Sequence, residues 1–348
     1  MNEEEIVLLS PDEILAMQFD PADLYLPNGI FAKGQSFTIL GPAGAGKSRL
    51  LLQMYACFIT GRPFLGWPVQ KQEMRWVVLQ TENSNRRFHA DLQRFKAWLS
   101  EKEWKAVNAN LRLQTMGVDH TFWNLSDDNN KTVVAQLLVR ERPGVLVVDP
   151  LIAYKAGNLN TDDGMMKTCH TLSDLAKYGE DGCSVIVLHH TLSGKEGMRK
   201  AVGFDRASYG RGSKALNMWT RGQLNVAPAS ETDNTRLVIS CGKNSNGPDF
   251  IPFGIMLNPT TMVYEVDPSF DLGTWKASLS GDTVLHSIRK PTPMNVALLL
   301  KGIPLTRKAL KDRVMKEFAC GQSNAYRIIA AAEGKTIKRN PKRQYEAV

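Results

Sequence analysis

Short apolar runs rich in β-branched residues alternate with segments of helical periodicity along the first two thirds of the chain. Apolar residues also recur at helical spacing in residues 48–60, 88–99, 131–140 and 165–178. The runs that predict buried strands are 35–40 (QSFTIL), 75–80 (RWVVLQ), 144–149 (GVLVVD) and 183–188 (CSVIVL). Because such alternation is typical of a parallel sheet covered by helices, the pattern predicts an α/β fold with a mostly parallel sheet flanked by helices.

After Trp219 the pattern changes to strands, and the end of the chain forms a separate small unit. The later strands are predicted over 220–227, 236–241, 253–257 and 262–266, and three short helices over 294–300, 306–318 and 323–332 precede a basic ribbon at 336–348. This unit is predicted to be an α+β winged helix, with a packing or oligomerisation unit as the alternative. The predicted organisation is an N-terminal arm (1–25), a large α/β domain (26–266), a linker (267–292) and a winged-helix-like domain (293–348).

The composition is that of an ordinary globular chain: 43% of the 348 residues are hydrophobic and 22% are charged. Since no apolar run approaches the length of about 18 residues that a membrane span needs, and the start of the chain is acidic, we expect a cytoplasmic protein with no membrane partner. The five cysteines are scattered without a C-x-x-C pair, which indicates reduced thiols instead of a zinc site or a disulfide framework.

The net charge of +8 is unevenly distributed. Residues 286–348 contain 14 Lys or Arg and four Asp or Glu, a net charge of +10, which leaves −2 for residues 1–285. A basic segment of this kind favours a polyanionic partner, and nucleic acid is the most plausible one.

A phosphate-loop motif, G-x-x-x-x-G-K-[ST], lies between the first strand and the first long helix. Its glycines let backbone N–H groups surround phosphate oxygens, its lysine places a charge at the outer phosphates and its serine can ligate Mg²⁺. ATP and Mg²⁺ are therefore the predicted ligands, and a glycine-rich turn without a ligand is the alternative. The predicted nucleotide contacts are Gly41, Pro42, Ala43, Gly44, Ala45, Gly46, Lys47, Ser48 and the next residue, Arg49.

Polar residues end the other predicted strands, where the carboxyl edge of a parallel sheet places ligand contacts. Asp149 is predicted to hold Mg²⁺ together with Ser48. Glu82 could orient the attacking water, or could be an acid that favours a helix start. His189 or His190 could sense the γ-phosphate, or could simply be polar strand ends.

These residues resemble the RecA-type core of hexameric helicases, especially the plasmid RepA-type and DnaB-type ATPases. The resemblance rests on the phosphate loop and on the strands that end at Thr81-Glu82, Asp149 and His190, and it covers about residues 26–257. The segments TGRPFLGWPV (60–69) and SKALNMWTRGQLNV (213–226) are similar to the RepA-like group. The resemblance implies that Lys47 and Ser48 are nucleotide ligands, Glu82 the catalytic base, Asp149 a Mg²⁺ ligand and His190 the sensor of the γ-phosphate. It also implies assembly into a homohexameric ring.

The resemblance extends to Lys243-Asn244-Ser245-Asn246-Gly247-Pro248, which is similar to the DnaB-type K-x-R-N-G-P motif that reaches the neighbouring subunit's nucleotide. Ser245 replaces the arginine of that motif. In its place we predict that Arg211 is the arginine finger, the residue that acts on the nucleotide of the neighbouring subunit. The alternative is that Arg211 is an ordinary loop arginine.

Two groups of basic residues are predicted to contact DNA. The loop from Thr191 to Gly212 would meet single-stranded DNA in the ring, unless it is a disordered basic loop, and the C-terminal unit would meet duplex DNA. The predicted contacts in the loop are Lys195, Arg199, Lys200 and Arg206. In the C-terminal unit they are Arg327 on the predicted recognition helix (323–332) and Lys338, Arg339, Lys342 and Arg343 in the predicted wing (338–343).

The leading hypothesis is a ring-forming ATPase that acts as a helicase or motor on DNA. The second is a RecA-like regulator or loader that binds DNA under control of ATP without separating strands. A small-molecule kinase is a third, which explains neither the basic tail nor the Lys243 motif.

Overall fold

The α/β fold predicted from the sequence is confirmed by a computed structural model. It describes residues 7–115, 123–192, 194–230, 232–280, 293–300, 303–318 and 321–347. The chain divides into two compact units, Met1–Phe270 and Asp271–Val348.

Eight helices of the first unit surround its sheet or precede it. They are α1 (Pro11–Ala16), α2 (Lys47–Thr60), α3 (Asn85–Trp98), α4 (Glu101–Asn110), α5 (Asp128–Glu141), α6 (Asp162–Ala176), α7 (Gly194–Arg199) and α8 (Ala215–Trp219). The strands are β1 (Ser36–Gly41), β2 (Trp76–Gln80), β3 (Leu111–Leu113), β4 (Val145–Asp149), β5 (Ser184–His190), β6 (Gly222–Pro228), β7 (Arg236–Asn244), β8 (Phe253–Leu257) and β9 (Tyr264–Val266). These counts refer to the described ranges.

The nine strands form one sheet in the order β3-β2-β4-β5-β1-β6-β7-β8-β9. Neighbours from β3 to β6 pair in parallel, and the pairs from β6 to β9 are antiparallel. The phosphate-loop strand β1 is therefore separated from β4 by β5 alone. Since β1, β2, β4 and β5 run in the same direction, their carboxyl ends meet at one edge of the sheet.

Helix α2 is the centre of the main hydrophobic core. Its residues Leu50–Ile59 are buried on every face, because the helix packs between the sheet and surrounding aromatic side chains. Gly61 ends it in the left-handed region, at φ 79°, where a side chain would be strained. The phosphate loop thus precedes a firmly packed helix.

Three of the differences between the structure and the predicted elements concern helices. Helix α4 follows a capping box at Ser100 and Glu103, in a segment where no helix was predicted. The range 191–212 contains α7 and a short 3₁₀ turn (Arg206–Ser208), so it is not an irregular loop throughout. Helix α9 (Leu272–Ser280) lies in the range predicted as a linker; it begins after Asp271, whose carboxylate accepts a hydrogen bond from the Thr274 N–H.

The second unit contains α9 and three further helices, α10 (Pro293–Leu299), α11 (Arg307–Glu317) and α12 (Gln322–Ala332). Two short antiparallel strands follow, β10 (Ile337–Arg339) and β11 (Tyr345–Ala347). Tyr345 also pairs with Leu305, before α11. The unit has its own hydrophobic core of buried residues, which includes Val296, Leu310, Ile329 and Tyr345.

Two further observations concern the described residues only. No helix among them combines the length and the apolar character that a membrane crossing requires. The cysteines described (Cys57, Cys169, Cys183 and Cys241) are free thiols, and burial raises the pKa of each to about 12.

Candidate nucleotide-binding site

The phosphate loop connects β1 to α2 and depends on glycines for its shape. Gly44 and Gly46 have φ angles of 74° and 77°, a region that residues with side chains rarely adopt. A Cβ on Gly46 would also collide with the hydroxyl of Tyr264. The backbone N–H groups at the start of α2 are thus presented at the sheet edge, as phosphate binding requires.

Lys47 lies inside this loop and is only 6% exposed. Its ammonium donates to the carbonyls of Gly41 (3.0 Å) and Pro42 (2.9 Å), and lies 3.4 Å from His190 Nδ1. Burial lowers the pKa of Lys47, although Asp149 and Glu82 act in the opposite direction. A buried cation that forms no ion pair within the described chain fits an anionic ligand such as a triphosphate.

Asp149 ends β4 beside Ser48, the first-turn serine of α2. Burial raises the pKa of its carboxyl to about 6, against the opposing effect of a hydrogen bond from Ser48. A hydroxyl next to a carboxylate is a donor set that Mg²⁺ accepts. No group of three or more His, Cys, Asp or Glu among the described residues could hold a metal, so Mg²⁺ here would complete its shell with phosphate and water oxygens.

Glu82 and His190 complete the polar cluster at this edge. His190 Nε2 lies 3.5 Å from Glu82 Oε1, and His190 Nδ1 faces Lys47, so the histidine bridges the two. The hydrogen bond to His190 lowers the pKa of Glu82, and Lys47 adds to this effect. The cap of α3 is provided by Ser84, which accepts from the Arg87 N–H, so the Glu82 side chain faces the cluster instead of capping that helix.

His189 points away from this cluster. Its Nε2 lies 2.7 Å from the carbonyl oxygen of Arg211, and burial lowers its pKa to about 4. The side chain is therefore neutral at physiological pH and supports the following loop. Of the two histidines that end β5, His190 is the one beside the phosphate loop.

Arg211 lies outside this cluster. Its N–H donates to the carbonyl of His190, and its exposed side chain lines a separate cavity of about 220 Å³ together with Lys200, Lys214 and Gln223. None of the residues that line this cavity is Lys47, Glu82, Asp149 or His190. This position leaves the Arg211 guanidinium available to a ligand outside its own phosphate loop.

Lys243 and Arg49 also have partners within their own subunit. The Lys243 ammonium donates to the Asn217 carbonyl at 2.7 Å, instead of approaching the phosphate loop. Arg49 stays next to the loop, where it lies 3.5 Å from the Asp91 carboxylate. Burial raises the pKa of the nearby Tyr264, and the charge of Arg49 opposes this rise.

The Asn244–Pro248 turn that follows Lys243 packs against the N-terminal segment. Asn244 Nδ2 donates to the Asn28 carbonyl at 3.1 Å, and Asn246 Nδ2 donates to the Gly29 carbonyl at 2.7 Å. These two asparagines of the motif therefore have structural partners within the subunit.

The predicted loop contacts for DNA, Lys195, Arg199, Lys200 and Arg206, lie in and after α7. Arg199 pairs with Glu196 at 3.1 Å, and Arg206 pairs with Asp249, which leaves Arg206 less free to contact DNA than the sequence suggested.

Three buried polar side chains, which the sequence analysis did not single out, hold the loop to the sheet. Asn225 donates to the carbonyls of Ala201 (3.0 Å) and Arg206 (2.8 Å), Gln223 donates to Arg206, and Ser240 donates to Ala201. Phe204, between these anchors, is fully exposed. The sequence did contain a pattern that could have predicted these contacts: amide side chains, Gln223 and Asn225, stand at alternate positions of the otherwise apolar strand β6.

In the second unit the predicted DNA contacts are exposed on one helix and one ribbon. Arg327 lies on α12 and donates to Asn324 at 2.6 Å. Arg339 pairs with Glu333 at 2.9 Å and covers the Tyr345 ring, and Lys338 lies 3.7 Å from Glu346. Lys342 and Arg343 lie at the exposed turn between β10 and β11.

Comparison with known proteins assigns the family. No curated protein matches the chain. Similar solved structures include the RadB recombinase (13% identity, TM-score 0.44) and a KaiC-like protein from the hyperthermophilic archaeon Pyrococcus horikoshii OT3 (13% identity, TM-score 0.43). Each similarity covers 68% of this chain and 91% of the other. Residues 2–198 match the AAA_25 family, described as an AAA domain. The chain therefore belongs to the AAA_25 family of AAA domains.

Proposed function

We propose that this protein is a Mg-ATP-hydrolysing, DNA-associated ring ATPase that acts as a RepA-like replicative helicase or DNA motor. One observation carries the proposal: Lys47, Glu82, Asp149 and His190 converge at the carboxyl ends of adjacent parallel strands. Hydrolysis of a phosphoanhydride needs a phosphate cradle, a metal ligand, a group that orients water and a sensor of the γ-phosphate. This edge of the sheet offers a residue for each requirement.

ATP binding would use the phosphate loop and Lys47. The ammonium would exchange its bonds to the loop carbonyls for bonds to phosphate oxygens, which relieves an unpaired buried charge. Ser48 and Asp149 would hold Mg²⁺, which neutralises charge on the phosphoryl oxygens when bound.

Glu82 would orient the water that attacks the γ-phosphoryl group. Its lowered pKa keeps the carboxylate ionised and able to accept a proton or a hydrogen bond from water. His190, which contacts both Glu82 and Lys47, would report the state of the phosphate to the following loop, since Arg211 donates its N–H to the His190 carbonyl.

Assembly into a homohexameric ring would supply the charge that one subunit lacks at the γ-phosphate. The exposed Arg211, held by its backbone at the end of β5, is the proposed residue that acts on the neighbouring subunit. Cations that stabilise the phosphoryl transition state from a second chain raise turnover by about 10³–10⁵.

Single-stranded DNA would pass the 191–212 segment inside the ring. Its exposed cations suit phosphate contacts, and Phe204, which is exposed on an anchored turn, suits stacking on a base. These features support DNA contact without reading of sequence.

Duplex DNA would bind the C-terminal unit, which we propose is a winged helix. Three helices, a two-stranded ribbon and the pairing of Leu305 with Tyr345 support this assignment. In this arrangement α12 would enter the major groove with Arg327 exposed, and Lys342 and Arg343 would contact the backbone from the wing.

The second candidate is an ATP-dependent DNA-binding regulator or loader that does not separate strands. The observation that favours it is the serine at position 245, in place of the arginine of the DnaB-type motif, next to a Lys243 already bound to Asn217. Slow hydrolysis suits a protein whose nucleotide state controls assembly.

A combined assay separates the two functions. ATP turnover is measured with and without single-stranded DNA, and displacement of a labelled strand is followed in parallel. Stimulated turnover with displacement supports the motor, and stimulated turnover without displacement supports the regulator. A wild-type protein without ATP turnover refutes the motor, and one that also does not bind ATP refutes both.

A further inference from the structure

We infer that Gln80 is a positioning residue for Glu82 and that Gln114 and Tyr154 hold Gln80 in place. The inference rests on the proposed ATPase function, because it explains how one carboxylate on a turn is kept at a fixed position. Gln80 is the last residue of β2, two residues before Glu82, and is completely buried.

The side-chain amide of Gln80 forms four hydrogen bonds, three to the turn that carries Glu82 and one to Gln114. Its Oε1 accepts from the N–H of Glu82 (3.2 Å) and from the N–H of Asn83 (2.8 Å). Its Nε2 donates to the carbonyls of Asn83 (3.0 Å) and Gln114 (2.8 Å). Glu82 and Asn83 lie between the end of β2 and the start of α3, where strand and helix hydrogen bonds are absent. The side chain of Gln80 provides hydrogen-bond partners for their backbone groups instead.

Gln114 and Tyr154 hold the backbone of Gln80 from the neighbouring strands. Gln114 follows β3, and its Oε1 accepts from the Gln80 N–H at 3.2 Å and from the Tyr154 hydroxyl at 2.6 Å. Tyr154 is fully buried on the 3₁₀ turn (Leu151–Tyr154) that follows β4. The ends of β3, β2 and β4 are therefore joined through side chains, beyond the register of the strands themselves.

Backbone bonds then fix Glu82 relative to the proposed metal ligand. The Thr81 N–H donates to the carbonyl of Asp149 at 3.2 Å, and the next two N–H groups donate to Gln80. Three consecutive residues of the turn are thus held, and the central one is Glu82, whose half-exposed side chain lies 3.5 Å from His190 Nε2.

A purely structural role is the weaker explanation of this cluster. A buried amide lowers stability unless its polar atoms are satisfied, and three of the four bonds of this one go to backbone groups of a single turn. The amide here serves a turn that includes a carboxylate beside the phosphate loop. Since a misplacement of about 1 Å costs about 10²-fold in rate, we expect the cluster to control turnover more than nucleotide binding.

The test is the substitution Gln80→Met, which keeps the volume and removes the four bonds. We expect kcat to fall by about 10–100-fold, while KM and the Kd for ATP change by less than about twofold. In the protein without nucleotide, the amide hydrogens of Glu82 and Asn83 should exchange faster than in the wild type, because they lose their acceptor.

Tyr154→Phe is the milder second variant, in case Gln80→Met does not fold. It removes only the hydroxyl that holds Gln114, and should lower kcat by about 3–10-fold. Tyr25→Phe is the matched control: Tyr25 is 2% exposed and its hydroxyl donates to Met74 Sδ, which lies before the start of β2, at the opposite end of that strand from Glu82. It should leave kcat and the exchange of Glu82 and Asn83 unchanged.

The outcomes separate this inference from the proposed function. A wild-type kcat in folded Gln80→Met or Tyr154→Phe, while Glu82→Gln is inactive, overturns the positioning role and leaves the ATPase proposal standing. A rise in KM that matches the fall in kcat/KM also overturns it, because binding would then be what was lost. If the wild type itself does not hydrolyse ATP, the proposed function and this inference fail together.

Discussion

The buried ammonium of Lys47 should lower the stability of the protein in the absence of ATP. The residue is 6% exposed, and its partners in the described chain are two loop carbonyls and His190 Nδ1. Removal of an ammonium from water costs several kcal/mol, and two charged hydrogen bonds offset about 1.5–3 kcal/mol each. The balance is close to zero or unfavourable, so a neutral side chain of similar length should be tolerated well.

Lys47→Met should therefore raise the free energy of unfolding of the nucleotide-free protein by about 1–2 kcal/mol. Burial lowers the pKa of Lys47 from its ordinary value of 10.5, so the unfolded chain holds the proton more tightly. The free energy of unfolding of the wild type should therefore rise as pH increases from the pKa of Lys47 in the folded protein towards 10.5. Over the same range, the stability advantage of Lys47→Met over the wild type should shrink.

Urea denaturation of the two proteins, with and without Mg-ATP, measures this effect. ATP should raise the midpoint of the wild type and leave that of Lys47→Met unchanged. Lys33→Met is the surface control: Lys33 is half exposed and lies 3.8 Å from Asp23, and its loss should change the free energy of unfolding by less than about 0.5 kcal/mol. A Lys47→Met protein that is less stable than the wild type, or that ATP still stabilises, refutes the reasoning.

Three further predictions follow from the same structure. Because burial raises the pKa of Asp149 to about 6 from an ordinary value of 3.8, the contribution of this residue to the stability of the ligand-free protein should be lost as pH rises between these values; the free energy of unfolding of Asp149→Asn relative to the wild type should therefore rise over this interval in a pH series of denaturation curves. If Arg211 acts on the neighbouring subunit, mixtures of Lys47→Ala and Arg211→Ala proteins should regain some ATP turnover; confirmed mixed assembly without regained turnover refutes that role. Removal of residues 271–348 should leave ATP binding intact, lower duplex DNA affinity and make its salt dependence shallower by about 0.9 in the log–log slope per lost phosphate contact; an unchanged slope means that this basic unit does not bind duplex DNA.

The strand ends of the site could be predicted from the sequence because their signals are local. Each of β1, β2, β4 and β5 is a run of mostly buried apolar residues. The phosphate loop follows β1, and a polar residue at or just after the end of each of the other three strands marks the carboxyl edge of the sheet. Parallel pairing then brings these ends together whatever the loops do.

Other parts of the site could not be predicted because they depend on contacts between distant segments. Lys243 is 26 residues from its partner, the Asn217 carbonyl, and Gln80 is 34 residues from Gln114. The sequence offered two equivalent histidines, and only the β5 register decides that His190 faces Lys47 while His189 faces Arg211. Helix α9 was missed because its Gly, Thr and Ser residues are also typical of a linker.

The ATP turnover of Glu82→Gln, measured beside its affinity for ATP, tests the central claim most directly. The substitution preserves size and keeps a hydrogen-bonding group, but removes the charge that lies 3.5 Å from His190. We expect kcat to fall by about 10²–10⁴ while the Kd for ATP stays near the wild-type value, and we expect Lys47→Ala to lose ATP binding itself. A Glu82→Gln protein that hydrolyses ATP at the wild-type rate would contradict the assignment of this strand edge as the catalytic site.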